Sequence, residues 1–297
     1  MNLDGIIGNH DAVRALKGMA ESGRIPHAMM LYENDGCGAM ALVLAFLSQI
    51  MGDEHKVCGL IHPDVHYVYP VANGSKVTEK VENLRAELFL EYWRSLMVSN
   101  PYALENEVSS AFGIEGKQSG INNAEAKEIL ETVWLTSVEG GWKAVVVYLP
   151  EKMNAASANR LLKAIEEPPE KTLFIMITHD LGVVASMCEK IAVMYAGHIV
   201  EYGTTDEIFY QPGHEYTKGL INSIPKLNTA EHERLVPIEG TPVDLLNPPA
   251  GCPFAPRCKN CMKICLREMA PVTTFDDVHY TQCWMNQKEQ MEREAAK

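Results

Sequence analysis

The sequence lacks the segments that place a protein in or across a membrane. It has no run of about 18 apolar residues, so it predicts no membrane-spanning helix. Residues 1–8 have neither the basic region nor the apolar region of a secretory signal peptide, and we therefore expect a cytoplasmic protein. Basic residues are outnumbered, with 26 Lys and Arg against 39 Asp and Glu and a formal net charge of −13. This balance argues against a general or sequence-specific nucleic-acid surface.

What the sequence does contain is typical of a globular protein of roughly two domains. Its 297 residues are 46% hydrophobic and 22% charged. Five of the 8 cysteines lie between Cys252 and Cys283. Without a secretory signal, such a cluster indicates a metal site before it indicates disulfides.

An apolar segment at residues 172–177 ends abruptly in Thr178, His179 and Asp180. A run of this length bounded by polar residues predicts a central parallel strand that is covered on both faces. Functional side chains gather at the carboxyl ends of such strands, which makes His179 a candidate for chemistry. The alternative is that Asp180 caps a following helix while His179 is solvated.

A phosphate-binding loop is suggested by the order of elements near the N-terminus. Residues 28–32 predict a strand, residues 33–40 contain Gly36 and Gly38, and an apolar helix follows to about residue 51. We call residues 33–40 the glycine loop. If the loop bound a nucleotide, Gly36 and Gly38 would approach its phosphates, whereas the alternative is a tight turn.

The chemistry of nucleotide hydrolysis is nevertheless missing. Such a loop needs a Lys and a Ser or Thr, and Ala39 and Met40 stand in their place. The carboxylate of Glu33 would also repel phosphate. A second buried strand ends in Tyr148 and Leu149, where an ATPase has the Asp-Glu pair that serves Mg²⁺ and the attacking water. We therefore expect neither ATP nor Mg²⁺ to bind, and no ATPase activity.

The other segments before residue 178 predict helices, strands and loops. A single amphipathic helix is expected over residues 77–98 and a glycine-rich loop over residues 112–121. Further helices are predicted at 9–22, 122–135 and 154–167, and strands at 62–71 and 144–149.

Five segments of this part of the chain are IIGNHDAV, RIPHAMMLYENDGCGA, LIHPDVHYVYPV, GINNAEAKEI and EKMNAASANRLLKAIEEPPEKTLFIMIT. They resemble the delta-prime subunit of the bacterial DNA polymerase III clamp loader, over residues 3–178 and most specifically over 152–178. The resemblance implies an AAA+ fold, a role in DNA replication and clamp-loader subunits as partners. Members of that family continue to an arginine motif, a helical lid and a helical collar, and the residues after 178 match none of these. We therefore expect no assembly with loader subunits.

The residues after 178 predict a hairpin, formed by 191–195 and 198–202, then two short helices and an irregular segment at 225–251. The segments THDLGVVASMCEKIAVMYAGHIVEYGTTDEIFYQPGHEYTKGLINSIP and IEGTPVDLLNPPAGCPFAPRC resemble oligopeptide and dipeptide ABC-transporter ATPases, over residues 174–286. The resemblance makes His179 the switch histidine that contacts the γ-phosphate. It also implies transporter membrane subunits as partners and a peripheral location at the inner face of the membrane. The signature sequence of that family is absent, so His179 is expected to be vestigial.

The clustered cysteines have the spacing C-x5-C-x2-C-x3-C-x17-C. In the transporter family the corresponding extension is associated with an iron–sulfur cluster. The resemblance assigns four ligands, which we call the cysteine quartet: Cys252, Cys258, Cys265 and Cys283. Cys261 is supernumerary. Four thiolates hold either a [4Fe–4S] cluster or a tetrahedral Zn²⁺, and the resemblance favours iron. The alternative is a set of free thiols packed under a loop.

These observations predict a mosaic chain with a P-loop NTPase-like α/β fold of the AAA+/ABC type. A parallel sheet flanked by helices is followed by an irregular cysteine-containing extension. The expected segments are a degenerate AAA+-like part at 1–178, an ABC-ATPase-like part at 179–225 and the extension at 226–297. Because both families place a helix and another parallel strand at the junction, we expect one continuous sheet.

Three hypotheses for function remain open. The first is a chimera without a complete ATPase site and without intact activity. The second is a peptide-transporter ATP-binding subunit. The third is a non-catalytic protein, either a delta-prime subunit or a metal-bearing module that meets a transporter partner.

Overall fold

The computed structural model of the chain describes residues 2–33, 35–223, 238–241 and 249–288. It divides into two compact units. The first comprises Met1–Ile6 and Ala15–Val184, and the second comprises Ile7–Arg14 and Ala185–Lys297. Of the predicted irregular segment at 225–251, residues 225–237 and 242–248 lie outside the described part, as do 289–297 of the extension. The division into segments 1–178, 179–225 and 226–297 stays a prediction.

The first unit is built on a parallel four-stranded sheet with the order β1-β4-β3-β2. Its strands are β1 (Ala28–Tyr32), β2 (Val65–Val68), β3 (Lys143–Tyr148) and β4 (Thr172–Thr178). Strand β4 pairs with β1 on one side and β3 on the other, and every residue of β3 and β4 is buried. The prediction of a central strand over residues 172–177 is therefore confirmed.

Helices cover this sheet, and their ends follow the capping residues of the sequence. Asn122 accepts hydrogen bonds from the first turn of one helix, and Asn154 does so for another. The helices from the N-terminus to residue 187 are α1 (His10–Ser22), α2 (Ala39–Met51), α3 (Glu54–Cys58), α4 (Leu90–Ser99), α5 (Glu105–Phe112), α6 (Asn123–Val133), α7 (Ala155–Glu166) and α8 (Leu181–Met187). Helices α1 and α8 each contribute residues to both units.

The predicted single helix over residues 77–98 is wrong. The structure has two short 3₁₀ helices, Val81–Asn83 and Ala86–Phe89, before α4 begins. The chain is extended at Arg85, and the backbone of Ala86 is held by distant side chains. Glu125 accepts its N–H at 2.7 Å, and the hydroxyl of Tyr69 donates to its carbonyl at 2.8 Å. These bonds replace the helical ones. Helix α5 was not predicted, and β2 is shorter than residues 62–71.

The second unit contains an antiparallel four-stranded sheet with the order β5-β6-β8-β7. Its strands are β5 (Lys190–Tyr195), β6 (His198–Thr204), β7 (Thr273–Thr274) and β8 (Tyr280–Thr281). The predicted hairpin is confirmed, with Ala196 and Gly197 at φ 50° and 83° in its turn. The prediction of one continuous sheet is wrong, because β5 and β6 pair with each other and with β8 in a sheet of their own.

Short helices complete the described part of the second unit: α9 (Thr205–Tyr210), α10 (Glu215–Asn222) and the 3₁₀ helices Ala255–Arg257 and Lys263–Leu266. Thr204 and Glu207 form a capping box at α9. No helix in the described ranges is long and apolar enough to cross a bilayer.

Candidate functional site

The glycine loop connects a strand to a helix, as predicted, and Gly38 is the N-cap of α2 with φ 94°. The free backbone N–H groups at a helix N-terminus form an anion site, which phosphate occupies in a nucleotide-binding loop. Here a carboxylate of the same chain occupies it, because Oε2 of Glu33 accepts the N–H of Ala39 at 2.8 Å. Burial, aided by Asp35, raises the pKa of Glu33 to about 7, against the opposing N–H bonds from Ala39 and Gly38.

Side chains of the same unit also cover the loop. A Cβ atom at Gly38 would lie 2.5 Å from the ring of Tyr102, and one at Gly36 would lie 2.5 Å from Leu104. Asp35 accepts the N–H of Glu105 at the start of α5, with distances of 2.9 and 3.1 Å to its two carboxylate oxygens. Close packing within the chain therefore requires glycine at both positions, and the choice between a tight turn and a phosphate-binding loop stays a prediction.

The polar end of β4 is held by a carboxylate of the segment that follows β3. Glu151 accepts the hydroxyl of Thr178 at 2.7 Å and the N–H of His179 at 3.0 Å. Asp180 accepts the N–H of Gly182 at 2.8 Å, as expected of a residue that caps a helix.

The ring of His179 is not solvated as the alternative suggested. It meets the ring of Tyr148 edge-on, with centroids 6.2 Å apart, and its buried Nε2 has no hydrogen-bond partner among the described residues. Burial raises the pKa of Tyr148, and the carboxylates of Asp35 and Glu33 add to this effect. The ring of His179 therefore lies against a neutral phenol, and the carboxylate of Glu151 binds its backbone, which is an unfavourable setting for a γ-phosphate.

In the second unit the four predicted metal ligands lie near one another, but no three of their sulfur atoms, all in the described part of the chain, lie within 4.8 Å of one another. All members of the cysteine quartet line one small cavity, together with His214, Phe254 and other side chains. The first and third members are connected through their backbones, since the N–H of Cys252 donates to the carbonyl of Cys265 at 2.8 Å. Gly251 permits this approach, because a Cβ atom there would collide with the same carbonyl oxygen.

Each sulfur of the quartet accepts backbone N–H groups from residues close to it in sequence. The donors are Phe254 and Ala255 for Cys252, Asn260 for Cys258, Met262 for Cys265, and Met285 and Asn286 for Cys283. Bonds of this kind stabilise and orient ligating thiolates. In the metal-free chain, burial raises the pKa of Cys258 to about 11 and raises the pKa values of Cys252 and Cys283.

Cys261 differs from the quartet in its exposure. It is exposed, it does not line the cavity, and its thiol donates to the carbonyl of Met262 at 3.6 Å. Its side chain nevertheless interacts with that of Cys265, so that the assignment of Cys261 as supernumerary stays a prediction.

Two polar residues near the cavity were not predicted. His214 lies 2% exposed at the start of α10, with Nε2 4.0 Å from Sγ of Cys252, and Glu201 of β6 is fully buried beneath the same loop. A histidine directly before a helix is the one sequence signal that could have indicated His214, as a capping residue.

Another group of ligand-type side chains lies in the described part of this unit. One ligand atom each of Glu207, Asp276 and His279 lies within 4.8 Å of the others. Local bonds account for both carboxylates: Glu207 accepts from Thr204, and Asp276 accepts the N–H groups of Val278 and His279.

Comparison with known proteins separates the same two parts of the chain. The family model described as DNA polymerase III, delta subunit, matches residues 8–192, which is well over half of the chain. The chain belongs to the DNA polymerase III delta subunit family. A second family model, described as the C-terminal region of oligopeptide/dipeptide transporters, matches residues 200–265. Both predicted resemblances are confirmed, as is the α/β fold class.

The curated relatives of this delta-family chain include ATP-binding proteins of peptide transport. The dipeptide transport ATP-binding protein DppD of Bacillus subtilis is 50% identical over 128 residues, which is 42% of this chain and 38% of DppD. The oligopeptide transport ATP-binding protein OppD of the same organism is 52% identical over 114 residues, 38% of this chain and 32% of OppD. The chain thus spans about a third of the length of these relatives.

A solved structure with a detectable likeness is the DNA polymerase III gamma subunit-related protein of Thermotoga maritima. It shares 14% identity with a TM-score of 0.33, over 58% of this chain and 43% of that chain.

Proposed function

We propose that this chain is a mosaic whose surviving chemistry is metal binding by the cysteine quartet and which does not hydrolyse ATP. The observation that carries the proposal is the convergence of the four cysteines on one cavity, with a backbone N–H donor to each sulfur. The clamp-loader-like and transporter-like parts lie in different families, and neither contributes a complete ATPase site.

The absence of ATPase activity is supported by what fills the glycine loop. A nucleotide would have to displace the carboxylate of Glu33 from the N-terminus of α2 and the ring of Tyr102 from Gly38. Even then, no Lys would reach its terminal phosphates and no hydroxyl would hold Mg²⁺, because Ala39 and Met40 stand at those positions.

The donor set of the quartet fits a metal group. Four thiolates satisfy Zn²⁺, whose structural sites are tetrahedral, and they also satisfy the four irons of a [4Fe–4S] cluster. We propose the [4Fe–4S] cluster, with Zn²⁺ as the alternative, because the matched transporter region resembles an extension associated with iron. Such a group would cross-link the two 3₁₀ segments to the end of β8, or transfer an electron if it contains iron. The residues of the chain orient the sulfurs and shield them from water.

Anaerobic expression, ultraviolet–visible spectroscopy and metal analysis of the full chain test this proposal. We expect about one cluster or ion per chain. Cys258→Ser should lose it, whereas Cys261→Ser is the matched control and should retain it, because Cys261 lies outside the cavity. Colourless wild-type protein without bound metal would contradict the proposal.

A malachite-green phosphate-release assay tests the second half of the proposal. We expect no ATP turnover above background in the wild-type chain. Turnover that disappears in His179→Ala would instead support the hypothesis of a functional transporter ATPase, since His179 occupies the position of the switch histidine.

Partners follow from the two matched families. We propose that the second unit, with its metal, is the part that meets a transporter membrane subunit, and that the chain does not assemble with clamp-loader subunits. A non-catalytic delta-prime role remains the competing hypothesis because the delta-family model covers residues 8–192. Affinity purification that recovers a stoichiometric clamp loader would favour that role and contradict ours.

The junction itself can be tested at the DNA level. Amplification of the codons for residues 165–190 from the source DNA should yield one continuous product if the mosaic is encoded as such. Failure to amplify it would identify the chain as an assembly error.

A further inference from the structure

His214 combines deep burial with a position at the wall of the quartet's cavity. His214 is only 2% exposed, and its Nε2 atom lies 4.0 Å from Sγ of Cys252. That distance is the outer limit for a hydrogen bond to sulfur, whose large radius lengthens such bonds. The question is whether the ring can donate in this direction.

The hydrogen bond made by the other ring nitrogen, Nδ1, shows whether Nε2 can donate. The backbone N–H of Tyr216 donates to Nδ1 of His214 at 3.1 Å. A nitrogen that accepts a hydrogen bond carries a lone pair and no proton. A neutral imidazole has its proton on the remaining nitrogen, so Nε2 of His214 is an N–H donor that faces Cys252.

The backbone that carries the ring of His214 is also held in place by hydrogen bonds. Glu201, a fully buried residue of β6, accepts the N–H of Gly213 at 2.5 Å and the N–H of His214 at 2.9 Å. Nε2 of His279 meets the same carboxylate at 2.9 Å. The backbone that carries the His214 ring is thus fixed to the sheet by charge-assisted bonds, which are stronger than neutral ones.

We propose that His214 is a positioning residue of the quartet's metal site, whose Nε2–H donates to the Cys252 thiolate and fixes that sulfur for ligation. The inference rests on the proposed metal-binding function of the quartet. Cys252 already accepts two backbone N–H groups, and His214 is the side-chain donor that completes the set from the opposite segment of the chain. Outer donors of this kind typically change metal affinity by about 10- to 100-fold.

His214 also caps α10, and the test has to separate the two roles. His214→Asn does so, because an Asn side chain caps helices well and its oxygen replaces Nδ1 as acceptor for Tyr216, while it is too short to reach the sulfur. His214→Gln is the matched rescue, since its amide nitrogen extends toward the position of Nε2.

The metal-free full chain and both variants are titrated with Co²⁺, observed by sulfur-to-cobalt charge-transfer absorption, and then competed with Zn²⁺. We expect His214→Asn to bind Co²⁺ with about 10- to 100-fold lower affinity and with an altered charge-transfer band, and His214→Gln to recover part of the loss. Equal affinity in wild type and His214→Asn would overturn the inference. Equal weakening in Asn and Gln would also overturn it, because it would indicate packing instead of donation. If the wild-type chain binds neither Co²⁺ nor, after anaerobic expression, an iron–sulfur cluster, the proposed function itself fails; if it binds only the cluster, the same comparison of the two variants is made on their iron content.

Discussion

Replacement of Glu33 by Gln tests whether burial in the glycine loop raises the pKa of Glu33. Gln retains an oxygen that can accept the N–H of Ala39, now 2.8 Å from Oε2 of Glu33, but it carries no charge. Burial raises the pKa of Glu33 from 4.5 to about 7. Between these values the folded chain keeps a proton that the unfolded chain has released, so a measurable dependence of stability on pH follows.

The sign and the size of that dependence can be worked out. Because the folded-state pKa lies above the unfolded one, the contribution of Glu33 to stability is most favourable below about pH 4.5 and is lost as the pH rises through about 7. The full difference in pKa corresponds to about 3 kcal/mol. Since Glu33 is only half-buried, solvent screening reduces the expected effect to about 1–2 kcal/mol.

Urea unfolding near pH 5 and near pH 8, observed by tryptophan fluorescence, measures the effect. Trp93 is fully buried in the first unit and reports its unfolding. Between pH 5 and pH 8 the free energy of unfolding of Glu33→Gln should fall by about 1–2 kcal/mol less than that of wild type. Glu170→Gln, at an exposed position, is the control. Glu125, whose pKa burial also raises to about 7, leaves a residual pH dependence in every variant. If Glu33→Gln and wild type lose the same free energy, burial in the glycine loop does not raise the pKa of Glu33.

Three further substitutions test contacts inside each of the two units. Asp64→Asn should cost about 1–3 kcal/mol in urea unfolding, because the buried Asp64 accepts one hydroxyl and two backbone N–H bonds from residues 137–139; an unchanged midpoint would contradict that network. Thr204→Ala should cost about 0.5–2 kcal/mol through loss of the α9 capping box, and wild-type stability in this variant would speak against the cap. Gly251→Ala should lower the metal content of the full chain, because the added Cβ collides with the carbonyl of Cys265; wild-type metal content in this variant would show that the two segments need not approach so closely.

Local signals predicted most of the elements that surround the two sites. Asn122, Asn154 and Thr204 are capping residues, and each does begin a helix. The apolar run that ends at Thr178 forms the central strand. A short run of consecutive apolar residues bounded by polar ones is typical of a strand buried on both faces. These features depend on neighbours in sequence, so a single sequence contains the information for them.

The errors involve contacts between residues that are distant in sequence. The helix predicted over residues 77–98 is interrupted because Glu125 and Tyr69, 39 and 17 residues away, bind the backbone of Ala86. His214 escaped notice because its partner Cys252 is 38 residues away. The roles of Glu33 and Tyr102 were missed for another reason: the sequence shows which phosphate-binding groups the loop lacks, but not which side chains fill the space.

The residues that position the cysteine quartet and those that form the glycine loop belong to different units. One site can therefore be lost without the other. Strand β6 pairs with β8, and the N–H of Gln282 donates to the carbonyl of Val200, which places Cys283 beside β6. Glu201 of the same strand binds the loop that carries His214 against Cys252. Every group that positions the quartet therefore belongs to the second unit, whereas Glu33, Tyr102 and His179 belong to the first. The proposed loss of phosphate chemistry in the first unit would remove no support from the four sulfurs, so the proposed metal binding does not depend on an ATPase site.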